Sequence, residues 1–274
     1  MSASPVDLNI HSRPLSMDRK VEAPRWWYGG DPFGTAVMNA LSLTFPEGER
    51  FFIQSVKRYA ADLPPALARE VRAFVGQEGA HTREHLAFNE MIARSGYDND
   101  PIEALVEKRL GIARSRPWLV QLAATVALEH FTASFAHALL ANRRLLRDVP
   151  SDLAKLWEWH AIEEIEHKGV AYDVYMHAAA HLSPWRRWMV RRWAMALTTV
   201  LFLTTVQRAS LALLKQDGIT GWKARLGLSR WLWKTPGLYR LVLKEYFAFY
   251  RPSFHPWQVD DRHLIADAEE RLAL

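Results

Sequence analysis

Apolar positions along the chain recur every three or four residues and never alternate with period two over a strand length, which predicts an all-α protein. The first helical stretch begins near Phe33, is interrupted at Pro46 and resumes to about Asp62, a proline being tolerated in the first turn of the resumed segment. A second runs from about Pro65 to Arg94, where Ser95-Gly96 stops it. A short charged segment near 102–111 precedes a third, from Pro117 to about Arg147. Ser151 is expected to cap a fourth that continues to roughly Leu182, ahead of Ser183-Pro184. Residues 1–32 read as an irregular arm, broken by Pro5, Pro14, Pro24, Pro32 and the Gly29-Gly30 pair. The expected organisation is therefore an arm over 1–32, a four-helix bundle over 33–182, and a helical extension over 183–274.

The inward faces of the four helices carry the chemistry. In QEGAHTREH, Glu78, His81 and His85 share one face with Leu67, Val71, Phe74, Phe88 and Ile92, while Glu84 falls on the opposite, solvated side. In WHAIEEIEHKGVAYDVY, His160, Glu164 and His167 share the face of Leu153, Leu156, Trp157 and Val174. Glu163 is nearly as well placed relative to both histidines, so spacing leaves the two open. The apolar face centres closer to Glu164, which makes Glu163 a partner behind the ligands, with Glu166 and Asp173 pointing away. On the first helix Glu49 aligns with Phe52, Ile53 and Val56, whereas Glu47 faces out. On the third, Glu129 is the only carboxylate between Pro117 and Arg147, and a buried carboxylate needs a partner or a metal.

One Glu from each of two helices and a Glu-x-x-His from each of the other two is the dimetal-carboxylate pattern of ferritin-like four-helix bundles. The metal set expected is Glu49, Glu78, His81, Glu129, Glu164 and His167, with His160 an additional ligand and His85 a further ligand or a donor behind one. Mixed oxygen and nitrogen ligation without thiolate favours two iron ions, with manganese or zinc also fitting. His130, His137, His177, His181 and His255 read as packing or helix-end residues.

Composition sharpens this picture. Among 274 residues there is no cysteine, which excludes disulfides, iron–sulfur clusters and thiol catalysis and permits a reducing cytoplasm. No glycine-rich nucleotide fingerprint occurs, and the N-terminal stretch lacks a secretory layout. The net charge of +5 is uneven: residues 182–251 hold 13 Lys+Arg against Asp217 and Glu245, a local +11 that leaves −6 for the rest. Six of the 12 Trp lie in the same stretch. Its entrance, RRWMVRR, leads into 15 uncharged residues from Trp193 to Gln207, short of the roughly 20 a bilayer span needs. An interfacial or buried helix is expected, seated on an anionic membrane rather than on nucleic acid, for which no binding motif is present.

GERFF with Glu49, QEGAHTREH, LEHFTA with Glu129, WHAIEEIEHKGVAYDVY and RPSFHPW resemble, over roughly residues 20–260, the bacterial proteins called predicted metal-dependent hydrolases. The resemblance implies metal-assisted hydrolysis. The His160, Glu164 and His167 arrangement is also similar to the extra-histidine site of di-iron arylamine N-oxygenases. Two chemistries follow for one site. The favoured expectation is a di-iron enzyme that activates O2 to oxidise a small hydrophobic or lipid-like substrate, with electrons from a separate reductase. The alternative is hydrolysis by an activated water, for which Glu163 is the candidate base, or non-catalytic metal storage. The basic, Trp-rich stretch sets the expected location in the cytoplasm, against the inner face of the membrane.

Overall fold

Asp31 accepts hydrogen bonds from the N–H groups of Phe33 and Gly34, and Pro32 follows at the first helical position, so α1 (Pro32–Lys57) starts on a capping signal. It is the first of eleven α-helices among residues 4–5 and 8–273, which a computed structural model of the chain describes and in which no strand occurs. The others are α2 (Pro65–Arg94), α3 (Asp100–Arg114), α4 (Trp118–Ala141), α5 (Ser151–His167), α6 (Val170–Ala178), α7 (Pro184–Gln216), α8 (Gly221–Trp233), α9 (Leu238–Leu241), α10 (Leu243–Ala248) and α11 (Arg262–Leu272).

The bundle is α1 against α2 and α4 against α5 and α6, closed by contacts of α1 with α4 and of α2 with α5 and α6. The C-terminal third folds onto it. Helix α7 lies across α1 and α4, and α11 lies on α5. One core joins Leu41, Phe88 and Trp157 to Leu213 and Trp231, and a second joins Phe51, Phe74 and Tyr175 to Met195 and Phe249. Among the described residues two helices are long and apolar enough to cross a membrane: α4, mostly buried as a core helix, and α7, most of whose apolar window is uncovered. Trp185, Trp193, Leu197 and Val200 stand exposed on α7.

The elements depart from the sequence pattern at five points. Pro46 does not interrupt α1, although it removes the N–H that would bond to the carbonyl of Ser42 four residues earlier. The Asn89 side chain on α2 donates to that Ser42 carbonyl instead, at 3.4 Å. The third helix stops at Ala141, where the Asn142 side chain donates back to Ala138 O, and Arg143–Leu146 is a 3-10 turn. Ser151 does not cap the fourth helix; Pro150 occupies the cap position and Ser151 is its first residue. That helix breaks at Lys168-Gly169, giving α5 and α6. A Cβ at Gly169 would sit 2.9 Å from the Trp257 ring, so the HPW segment presses on the backbone here and only glycine fits. The charged stretch near 102–111 is a regular helix, α3.

Candidate metal centre

Helices α1, α2, α4 and α5 bring Glu49, Glu78, His81, Glu129, His160, Glu164 and His167 into one buried cluster. The Nε2 atom of His167 lies 3.2 Å from Glu78 Oε1, 3.4 Å from Glu129 Oε2 and 3.4 Å from Glu164 Oε2. The other oxygen of Glu164 faces elsewhere: Oε1 is 2.9 Å from His160 Nε2 and 3.4 Å from His81 Nδ1. Glu164 therefore stands between two groups of donors. One is Glu78, Glu164 and His167, the other His81, His160 and Glu164, and Glu49 with Glu78 and His81 borders the second. In each set one donor atom per residue lies within 4.8 Å of the others. Glu49 Oε2 accepts from the Thr82 hydroxyl at 2.7 Å, leaving Oε1 directed inward.

A chain of hydrogen bonds behind the cluster dictates which way the imidazoles present their lone pairs. Asn89 donates its amide to Ser42 O, so its Oδ1 accepts the Ser42 hydroxyl at 2.7 Å. The Ser42 oxygen can then only accept from His85 Nδ1–H at 2.9 Å, which leaves His85 Nε2 to accept from His160 Nδ1–H at 2.7 Å. His160 Nε2 is thereby a bare lone pair, 2.9 Å from a carboxylate oxygen. Two acceptors at that separation repel unless a cation lies between them. His85, His160 and Glu49 also come within reach of one another as a further group of donors, and both nitrogens of His85 are hydrogen-bonded in this arrangement, one of them to His160. Burial and the neighbouring His160 and His81 hold His85 well below the ordinary histidine pKa; burial and His81 bring His160 down to about 4.

The other two imidazoles are anchored in the same manner. His167 Nδ1 donates to Gln77 Oε1 at 2.9 Å, and Gln77 Nε2 donates to Glu166. His81 Nε2 donates to Glu163 Oε2 at 3.1 Å, and Glu163 Oε1 accepts the backbone N–H of Arg13 at 2.7 Å. Both Glu163 oxygens thus accept hydrogen bonds, which sets the carboxylate behind His81 rather than among the inward donors. Carboxylates behind histidine ligands commonly set the tautomer in this way.

Nine buried atoms of the cluster have no hydrogen-bond partner among the described residues: Glu49 Oε1, both oxygens of Glu78 and Glu129, Glu164 Oε2, His81 Nδ1, His160 Nε2 and His167 Nε2. Burial on this scale costs several kcal/mol per ion unless a counter-charge is present. The titration shifts express that stress. Burial, then Glu78, lifts Glu49 well above the carboxylate range and brings Glu129 up to about 8; burial also lifts Glu78. Burial would raise Glu164 too, but His167 and His160 outweigh it and hold it well below. Burial likewise opposes charge on His81, yet Glu163 and Glu164 take it to about 10, and Glu164 and Glu129 raise His167. Without a cation, protons on these two histidines fill the role. The residues fit a metal.

Two carboxylates expected in solvent are buried instead. Glu84 accepts the Met17 N–H at 2.8 Å, and Glu166 pairs with Arg13 at 2.5 Å. Both are covered by the N-terminal arm, whose irregular sequence carries no periodic signal. Ser42, Gln77, Asn89 and Arg13 escaped notice for related reasons; only Gln77 had a clue, standing beside Glu78 in QEGAHTREH. His130, His137 and His255 lie outside the cluster, bonded to Glu245 O, Asp261 and Asp173.

No curated protein and no solved structure is significantly similar to the chain. The family model described as predicted metal-dependent hydrolase matches residues 11–260, nearly the whole length and every residue of the cluster, and the chain belongs to that family.

Proposed function

We propose that the chain is a metal-dependent hydrolase whose centre is held by Glu49, Glu78, His81, Glu129, His160, Glu164 and His167. The observation that carries the reading is the His160 lone pair aimed at Glu164 Oε1 across 2.9 Å, a geometry that asks for a cation. Two divalent ions balance the four inward carboxylates, and the oxygen and nitrogen donors suit iron, manganese or zinc. When bound, such ions supply Lewis acidity and a water nucleophile of lowered pKa. The protein's part is to hold the donors and keep bulk water out. His85 and Ser42 fix the His160 tautomer, Glu163 fixes His81, Gln77 fixes His167, and Phe45 stacks on His160 with ring centroids 5.0 Å apart. The family description supports hydrolysis rather than the O2 activation favoured by the ligand pattern.

One observation keeps a second reading in view. Both Glu163 oxygens already accept hydrogen bonds, so the candidate base is committed to holding His81 and the arm, which suits O2-dependent oxidation with a partner reductase. Turnover of an ester, amide and phosphoester panel by the metal-loaded chain, with and without O2, separates the two. Hydrolysis is expected to proceed equally without O2 and to fall at least a hundredfold in Glu164→Gln. Reductant-dependent O2 consumption with no hydrolysis would transfer the centre to the second reading.

The basic, Trp-rich stretch supports a peripheral seat on an anionic cytoplasmic leaflet, with Trp185, Trp193, Trp222 and Phe247 exposed among its cations. The chain is expected to float with anionic vesicles at low salt and to release at high salt. Staying in the soluble fraction under both conditions would end that assignment.

A further inference from the structure

Helix α8 is apolar on two sides, and the bundle covers only one of them. Its inner side, Ala224, Leu228, Trp231 and Leu232, is buried in the core that also holds Leu41 and Trp157. The packing is close, since a Cβ at Gly227 would overlap the Phe33 ring of α1. That contact fixes which side of α8 faces away. There Trp222, Leu226 and Trp233 are 70%, 50% and 46% exposed, and spacings of four and seven residues line them up in one stripe. Exposed Lys223 and Arg230 border the stripe on one side and exposed Arg225 on the other. The helix holds no acidic residue, and none of these three cations has an ion pair among the described residues.

The C-terminal end of α8 opens onto a cationic cleft of about 1140 Å3. Arg143, Arg144 and Arg147 line it from the segment after α4, and Lys234 and Arg240 from the segment after α8, all of them exposed. None of the five has an ion pair among the described residues. Arg240 donates to Lys234 O at 3.2 Å, which seats its guanidinium on the turn that walls the cleft. The one acidic lining residue, Asp31, is committed to the first N–H groups of α1. A cleft lined by one sign of charge concentrates counter-ions. Trp233 ends the stripe and Lys234 begins the cleft, so the apolar and cationic surfaces are continuous.

A soluble anion would fill the cleft and leave the stripe in water, whereas an apolar protein partner would cover the stripe and leave the cleft. An anionic phospholipid surface meets both at once, with phosphates for the cations and an apolar interface for the tryptophans. The helix is too short to cross a bilayer: its 13 residues rise about 20 Å, against a hydrocarbon core of about 30 Å. We propose that α8 is the element that seats the chain on the membrane, lying flat with Trp222, Leu226 and Trp233 in the interface and anionic headgroups in the cleft. The assignment rests on the peripheral seat proposed above. It falls to α8 rather than to the exposed stripe of α7 (Trp193, Leu197, Val200) because the α8 stripe runs into the cationic cleft.

Flotation of the full chain with phosphatidylglycerol-containing vesicles and with pure phosphatidylcholine vesicles tests this. The chain is expected to float with the first alone. Leu226→Asp is expected to weaken binding more than tenfold, and the combined Arg143→Gln, Arg144→Gln and Arg240→Gln variant about a hundredfold at low salt, with the melting temperature and metal content unchanged. Leu197→Asp on α7 is expected to stay within about twofold. If Leu226→Asp does not fold, Trp222→Ala removes the same contact. No flotation of the unaltered chain would end the membrane seat and this assignment with it. Flotation unchanged in the α8 variants, or lost in Leu197→Asp instead, would overturn the role of α8 and leave the seat standing. Loss in Leu226→Asp without loss in the triple variant would overturn the headgroup cleft. A dimer in solution that Leu226→Asp splits, with flotation intact, would give the stripe to a second copy of the chain.

Discussion

Stripping the metal is expected to lower the melting temperature of the chain by roughly 10 °C, and adding it back to restore the loss. An ion that binds only the folded state adds about 4 kcal/mol when present at about a thousand times its Kd. In a chain of this size each kcal/mol moves the melting temperature by about 2–4 °C. The folded state has reason to bind: nine buried donor atoms have no other partner. Calorimetric melts of chelator-treated and reloaded protein, with metal content measured on the same samples, check the expectation. Glu78→Ala should abolish the chelator effect. Protein that holds no metal and melts unchanged after chelation would sink the proposed centre.

The pH dependence of that difference has a definite sign. In the metal-free chain Glu129 is raised from 4.5 to about 8, and His81 from 6.5 to about 10. A group with a raised folded pKa gives its full contribution below the unfolded value and loses it as pH rises through the folded one. Metal-free stability should therefore decline from about pH 4.5 to 8 through Glu129, and further toward pH 10 through His81. Metal competes with those protons, so its affinity rises over the same range. The gap between loaded and stripped melts should widen from pH 5 to pH 8. Groups held low act oppositely, Glu164 below pH 4.5 and His85, His130 and His160 below pH 6.5, so the decline of the metal-free chain should be clearest above pH 6.5.

Arg13→Ala is expected to cost about 3–5 kcal/mol, which urea denaturation would measure directly. Arg13 is 5% exposed, and its guanidinium meets both oxygens of Glu166, at 2.5 and 2.9 Å, together with Glu269 at 2.6 Å. Removing it leaves Glu166 buried without its cation. Arg13→Lys should recover only part of the loss, since an ammonium cannot form the two parallel bonds. A cost within 1 kcal/mol would mean that the arm only lies on the bundle and does not fasten it.

Much of the candidate centre can be read from the sequence because a helix converts spacing into direction. Glu78 and His81 on one helix, and Glu164 and His167 on another, must share a face at 3.6 residues per turn, and the apolar residues beside them say which face turns inward. The same logic singled out Glu49 over Glu47, and Glu129 as the lone carboxylate of its helix. Spacing failed where two residues are equally well aimed: Glu163 and Glu164 are distinguished by what stands opposite, His81 and the arm for one, the cluster interior for the other. It failed again for Glu84 and Glu166. Periodicity reports the side of a helix that meets other helices, and cannot register an irregular strap laid over the remaining side. Pro46 is the clearest instance. By sequence it breaks a helix; in the fold its missing N–H frees the Ser42 carbonyl for Asn89, and the chain of bonds that follows turns the His160 lone pair toward the centre.

The sequence alone determined the helical class, the family and the ring of inward Glu and His donors, because each rests on local periodicity or a contiguous motif. Tertiary structure decided the hydrogen bonds behind the imidazoles, the partners of Glu163 and the burial of the arm, because these depend on side chains brought together from distant parts of the chain, and no local pattern encodes such meetings.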